Sequence, residues 1–221
     1  MGSRRAVFIS LEGGEGSGKT TQRVRIVKFL RARGREVLET REPGGTEAGE
    51  MIRDILLHRV SSLSPRAEFA LYLASRSQLV EERVRPAMEA GTDVVCDRFA
   101  DSSTAYQGGG RGLGEAIVEE MNAWATGGLS PDVSFYFDVA PETGLARMKG
   151  RSGAEEPDRI EREALEFHEQ VRRTYLAIAG RYPERFHVVP THGGEEAVWE
   201  RIRPVMEAAM KRLEVTREEM S

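Results

Sequence analysis

Ala6-Val7-Phe8-Ile9-Ser10-Leu11, then Gly13-Gly14-Glu15-Gly16-Ser17-Gly18-Lys19-Thr20, decides how this chain folds. The first run is apolar, aromatic and β-branched, the composition of a buried strand. The second fits G-x-x-x-x-G-K-[ST] in full, a pattern expected by chance roughly 0.005 times at this composition. Its position matters as much as its letters, because a strand precedes it and a helical pattern opens at Thr20. Glycines allow successive backbone N–H groups to curl inward, and the following helix adds its positive end, so the segment reads as a cradle for phosphates. Lys19 would reach the β- and γ-phosphates, and the Thr20 hydroxyl would ligate Mg²⁺. The motif predicts a nucleoside-triphosphate site but does not say what is done with the triphosphate.

Outward from this segment, short apolar runs alternate with longer helical ones, as βαβ units around a parallel sheet require. The spacing predicts a helix over Thr20–Ala32, with Val24, Ile26, Val27 and Leu30 on its apolar side, ending at Gly34. Strands are expected at Glu36–Thr40, Thr92–Cys96, Val133–Val139 and Arg185–Val189. Helices are expected at Met51–Leu57, Pro65–Met88, Glu115–Ala125, Pro141–Lys149, Arg162–Arg181 and Glu195–Leu213. The segments Arg41–Gly49, Gln107–Gly114 and Gly150–Arg159 read as loops available for substrate contact or lid movement. No repeat and no long linker divides the chain. It reads as a single domain over residues 1–213, with a lid around 150–160 and a tail at 214–221.

Composition narrows the function. The 221 residues carry a net charge of −4 and no basic block, which argues against a nucleic-acid surface. No apolar run approaches the roughly 20 residues that span a bilayer. The start of the chain shows no signal-peptide core. The one cysteine, Cys96, precludes an internal disulfide, so a reducing cytoplasmic setting is expected. His58, His168, His187 and His192 lack metal spacing. Only four of the 32 basic residues are lysine; the rest are arginine, whose planar fork grips phosphate at two points.

The absence of an N-K-x-D segment argues against a GTPase switch. Thr92-Asp93-Val94-Val95-Cys96-Asp97-Arg98-Phe99 instead ends a buried strand in an acid and an arginine, at the edge of the sheet that faces ligands. Asp97 there would sit in a Mg²⁺ shell, and Arg98 would hold a second anion. In Pro65–Met88, Phe69, Tyr72, Leu73, Arg76 and Val80 share one helix face. Arg76 is therefore a charge on an apolar stripe, costly without a partner.

Four segments in order carry a wider resemblance: Gly13–Thr20, Arg41-Glu42-Pro43-Gly44-Gly45-Thr46, Asp97-Arg98-Phe99 through Ala105–Arg111, and Asp158-Arg159-Ile160-Glu161. The chain resembles the bacterial thymidylate kinases, nucleoside monophosphate kinases of the P-loop class. The resemblance implies an α/β, three-layer P-loop kinase fold with a five-stranded parallel sheet flanked by helices and a short lid. It implies transfer of the γ-phosphoryl group of ATP to dTMP, with Mg²⁺, in a homodimer. The donor nucleotide would be held by Gly13, Gly14, Glu15, Gly16, Ser17, Gly18, Lys19, Thr20, Thr21 and Arg147. Glu42, Pro43, Ser102, Ser103 and Gln107 would line the acceptor site, with Tyr72 stacked on thymine and Arg76 on the base edge. Tyr106 would pack on the sugar and Arg98 would bind the acceptor phosphate. Pro43 matches a proline that is often cis in the family. Because the P-loop carries Glu15 and Gly16 rather than an arginine, the catalytic arginine would come from the lid, Arg151 first and Arg159 second, working with Lys19, Glu15 and Arg98. The alternatives are another nucleoside monophosphate or deoxynucleoside kinase of the same fold, or a non-catalytic nucleotide-binding module.

Overall fold

A computed structural model describes residues 5–149 and 158–219. Five strands, β1 (Phe8–Glu12), β2 (Val37–Arg41), β3 (Asp93–Asp97), β4 (Val133–Asp138) and β5 (Phe186–Pro190), form one parallel sheet in the order β2-β3-β1-β4-β5. β1 lies at the centre, with Leu11 opposite Asp97 on β3 and Glu12 opposite Tyr136 on β4. The chain order reverses at β1, which places the ligand crevice beyond its C-terminal end.

Neighbouring residues of β1 enter different cores, as a pleated strand dictates. Ile9 and Leu11 pack with Ile26, Leu30, Ile202 and Met206 on the side of α1 (Lys19–Arg31) and α9 (Gly194–Glu219). Phe8 points the other way, toward Leu79, Val80, Val84 and Phe99. Helices thus cover both faces, giving the three layers. On the second face lie α2 (Glu47–Asp54), α3 (Pro65–Leu79), α4 (Arg85–Glu89), α5 (Ala100–Ser103), α6 (Glu115–Ala125) and α8 (Leu165–Arg181), while α7 (Pro141–Lys149) follows β4.

The expected strands lie within two residues of the observed ones, but the helices depart more: α2 opens at Glu47 inside a segment expected as a loop, and wide i→i+5 turns at Ile55–Arg59 and Val80–Val84 interrupt the helices expected at Met51–Leu57 and Pro65–Met88. Val24 is 43% exposed, because Gln22 and Phe29 turn inward beside Ile26, Val27 and Leu30. The helix expected from Arg162 begins at Leu165. The closing helix continues to Glu219, so residues 214–219 are helical rather than a separate tail. Most instructive is Thr104–Gly110, part of which reads as a glycine loop but which continues α5 as wide i→i+5 helical turns. Its glycines serve packing there: a Cβ on Gly109 would lie 2.1 Å from Thr174 Oγ1 of α8.

Candidate active site

The phosphate loop bridges β1 and α1. Lys19 Nζ donates to the carbonyls of Gly13 and Gly14, both at 2.9 Å, and the Ser17 hydroxyl donates to the Gly14 carbonyl at 2.8 Å. Gly18 occupies the N-cap with φ 88°, no side chain caps the helix, and no acid stands in the first turn. The first amides of α1 and its positive end are therefore left for an anion. The loop is pressed against α7: a Cβ on Gly16, at φ 63°, would meet the Gly144 carbonyl oxygen at 2.2 Å. Only glycine fits that approach.

Across the crevice, β3 delivers Asp97 and Arg98. Arg98 is the single non-glycine residue with positive φ among the described residues, at 69°. That conformation costs on the order of 1–2 kcal/mol for an L-residue. The turn is fastened on both sides: Arg98 N donates to the Leu11 carbonyl at 2.9 Å, and Phe99 N to Glu12 Oε1 at 2.9 Å. The guanidinium then pairs with Glu15 through NH2, lies 5.2 Å from the Tyr106 ring centre, and leaves NH1 buried without a partner. Burial alone would raise the Glu15 carboxyl, but Lys19 and Arg98 override it and hold its pKa down to about 2. Lys19 moves downward through burial and the neighbouring Arg98 charge. Lys19 and Arg98 thus set two cations against one carboxylate, Glu15, an arrangement that suits a polyphosphate.

Glu12 is fully buried at the end of β1. It also accepts from the Ser102 hydroxyl at 2.5 Å and from the Tyr175 hydroxyl at 3.3 Å. Burial, and then the charge of Asp101, push its pKa up to about 7 against the pull of Ser102 and Arg98.

Beside the phosphate region, α3 and the wide-turn segment enclose the rest of a 240 Å³ cavity. Its wall brings together Glu15, Gly16, Ser17, Gly18, Lys19, Thr20, Glu42, Pro43, Tyr72, Arg76, Asp97, Arg98, Ser102, Ser103, Tyr106 and Gln107, all expected from sequence. The Glu42–Pro43 bond is cis. Arg76 is 1% exposed, and each of the five N–H groups of its guanidinium has an acceptor. Nε and NH2 reach Glu42 Oε2 at 2.8 and 2.6 Å, NH2 also reaches the Phe99 carbonyl, and NH1 reaches Ser103 and Asn122. A contact with a base edge requires exchanging one of these partners; Glu42, Phe99 and Ser103 all line the cavity, whereas Asn122 does not. Glu42 Oε1 is buried with no partner.

Thr21 and Arg147 stand apart from that wall. They line a second cavity of 360 Å³ on the far side of the loop, with Thr191, Gly193, Gly194 and Glu195. Gly13 supplies a carbonyl to Lys19 rather than a wall, and Gly14 borders a smaller hollow behind the loop. Arg151 lies outside the described residues. Arg159 Nε donates to the Leu56 carbonyl at 2.9 Å, its NH1 meets Glu68 Oε2 at 2.7 Å, and its NH2 is buried without a partner.

Sequence reasoning assigned no role to Arg41, Arg53, Leu57, Phe99, Asp158, Ile160 or Glu161, which complete the first cavity. Arg41 and the Asp158–Glu161 run were already visible as motif segments. Arg53, which donates to the Pro43 carbonyl at 3.1 Å, carried no such signal.

A phosphate cradle facing a strained arginine, with an aromatic-walled cavity beyond it, has known counterparts. The thymidylate kinase family profile matches residues 11–202. The chain belongs to the thymidylate kinase family. It is 45% identical over 201 residues to thymidylate kinase of Gloeobacter violaceus, covering 91% of this chain and 94% of that one. It is equally identical to the Thermosipho melanesiensis enzyme, covering 92% and 99% respectively. The crystal structure of thymidylate kinase from Ehrlichia chaffeensis superposes with a TM-score of 0.72 at 29% identity, over 90% of this chain and 98% of that one. Among the described residues, no helix is long and apolar enough to cross a membrane.

Proposed function

We propose that this chain performs its family's reaction, transferring the γ-phosphoryl group of ATP to dTMP to give dTDP and ADP. The observation that carries the reading is the pairing of two anion sites across one crevice, the loop around Lys19 and the turn at Arg98. A 5′-phosphate oxygen of the acceptor attacks the γ-phosphorus, and the bond to the β-phosphate oxygen breaks. Both substrates are anions, so the work is alignment and charge neutralisation.

Lys19 and the free amides of α1 hold the donor phosphates. Arg98, through its unpartnered NH1, binds the acceptor phosphate, and Arg53 adds a second cation from α2. Tyr72 stacks on thymine. Ser103 and Gln107 face the base edge, Tyr106 underlies the sugar, and Ser102 and Glu42 complete the wall. Thr21, Arg147 and Glu195 border the cavity for the donor base. Arg159 fastens the base of the lid to α3, which leaves Arg151 as the candidate for the moving charge.

The oxygen donors fit Mg²⁺. Thr20 and Asp97 border one cavity with Glu15, while no three His, Cys, Asp or Glu converge on a metal position among the described residues. Mg²⁺ commonly takes one or two protein oxygens and completes its shell with phosphates and water. When bound, it would offset the negative charge of the triphosphate.

A homodimer is supported by α6, which exposes Ile117 (53%), Met121 (40%) and Trp124 (80%) on one face. A monomer in sedimentation would refute that assignment. A cytoplasmic setting suits the buried free thiol of Cys96.

Steady-state rates with dTMP, dUMP, dGMP and AMP under saturating ATP test the proposal. The pyrimidine deoxynucleotides should lead, dTMP first, and a preference for AMP would sink it.

A further inference from the structure

Glu68 sits in the first turn of α3, is fully buried, and lies behind the cavity wall rather than on it. A carboxylate so placed is costly unless every oxygen is satisfied. Here three hydrogen bonds and an ion pair share the two oxygens. Oε1 accepts from Gln107 Nε2 at 2.8 Å and Arg111 Nε at 3.2 Å; Oε2 accepts from Arg111 NH2 at 3.1 Å and forms an ion pair with Arg159 NH1 at 2.7 Å. Glu163 pairs with Arg111 at 2.7 Å and balances the second arginine.

The Gln107 contact has a chemical consequence. An ionised carboxylate can only accept, so Gln107 must turn its NH₂ group toward Glu68. Its Oε1 then becomes the atom available to the cavity, and Gln107 thereby offers an acceptor. Thymine and uracil carry a donor at N3, flanked by two carbonyls, whereas cytosine carries an acceptor at N3 beside a donor amino group. An acceptor fixed by a buried charge accepts the first pattern and repels the second.

We infer that Glu68 is a positioning residue for base specificity, locking the Gln107 amide so that the cavity accepts an N3–H base and rejects cytosine. This rests on the reading of Gln107 as a base contact. Arg111 and Arg159 contribute by filling the remaining valences of Glu68, which keeps the carboxylate from rotating away from Gln107.

Kinetics of the wild type, E68Q, Q107L and the double variant with dTMP, dUMP and dCMP test the inference, dCMP being measured as substrate or competitive inhibitor. A glutamine at position 68 can donate to Gln107 and allow its amide to flip. E68Q should therefore lower the preference for dTMP over dCMP by about tenfold to a hundredfold, the cost of one mismatched buried hydrogen bond. The change should fall on KM, with kcat at saturating dTMP within about threefold and dUMP moving with dTMP. The double variant should lose no more preference than Q107L alone.

If Q107L erodes the preference but E68Q does not, or if E68Q slows all three nucleotides equally, Glu68 is structural only and the inference falls. If Q107L leaves the preference intact, the assignment of Gln107 to the base has failed, and this inference with it. Should E68Q not fold, the wild-type complex with dTMP still decides by NMR. Gln107 amide protons should show cross-peaks to the Glu68 methylenes; cross-peaks to the base instead would overturn the orientation.

Discussion

Among the described residues, two arginine–carboxylate pairs have both side chains no more than 3% exposed, and they lie at opposite ends of the sheet. Arg35 and Asp93 meet where the strands begin, with side chains 3% and 0% exposed. Asp93 also accepts from Val7 N at 2.9 Å, and Arg35 donates to the Arg5 carbonyl at 3.0 Å. Both Asp93 oxygens are used, and the pair ties the start of β1 to β3 and to the α1–β2 connection. Arg76 and Glu42 meet beyond the strand ends, 1% and 2% exposed, but Glu42 spends both bonds on Oε2 and leaves Oε1 bare. Arg98, which lines the same cavity, likewise leaves NH1 bare. The chemistry of the two pairs is the same. What separates a staple from a binding wall is unspent hydrogen-bonding capacity, which costs stability until a ligand supplies the partner.

The largest effect that would break this comparison concerns Arg98. If its bare NH1 is reserved for the acceptor phosphate, Arg98→Ala should lower turnover by about 10³-fold, the scale of losing a phosphoryl-binding arginine. It should weaken dTMP binding while leaving thymidine, which lacks the phosphate, bound within about twofold. Equal losses for nucleotide and nucleoside, read by calorimetry, would show that the open valence serves some other purpose.

Removing one arginine from each pair sharpens the contrast. Arg35→Ala strands Asp93 in the core and should cost about 3–5 kcal/mol of stability in denaturant titration, yet leave kcat/KM within about twofold at a temperature where the variant is folded. Arg76→Ala should destabilise comparably, because Glu42 is stranded, and should also lower kcat/KM for dTMP by about a hundredfold. If Arg35→Ala impairs catalysis as much as Arg76→Ala, the closed pair is coupled to the site and the distinction between them fails.

Much of the open end of the molecule was legible from sequence, because its signals are local. The phosphate loop is one contiguous motif, Asp97-Arg98 directly ends a strand, and Tyr72 and Arg76 are one helical turn apart. The roles of Glu12 and Glu68 were not legible, since their meaning lies in distant partners. Glu12 meets Phe99 87 positions away and Tyr175 163 positions away, and Gln107 lies 39 positions from Glu68. Arg159 shows the same limit: its partner Glu68 on α3 is not visible from the sequence around it. The segment Thr104–Gly110 failed for a different reason. Glycines signal loops when nothing presses on them, but here α8 does.

The smallest effect concerns Glu12, the carboxyl that fastens the Arg98 turn, and it is a matter of pH. Folding raises this group from an ordinary 4.5 to about 7, so between those values the folded chain binds a proton that the unfolded chain has released. Its contribution to stability is therefore complete below about pH 4.5 and declines as pH rises through 7, by about 3 kcal/mol. Glu15 runs the opposite way, its depressed pKa adding stability that is lost only as the pH falls from about 4.5 toward 2. Unfolding free energies across pH 4.5–7 should accordingly fall less steeply in Glu12→Gln than in the wild type, since the amide cannot ionise and still offers an oxygen to Phe99 N. Identical slopes would mean that Glu12 is charged in the folded protein throughout this range. Its carboxylate would then be sustained by Arg98, and Glu12 would belong with the closed pairs, its capacity fully spent.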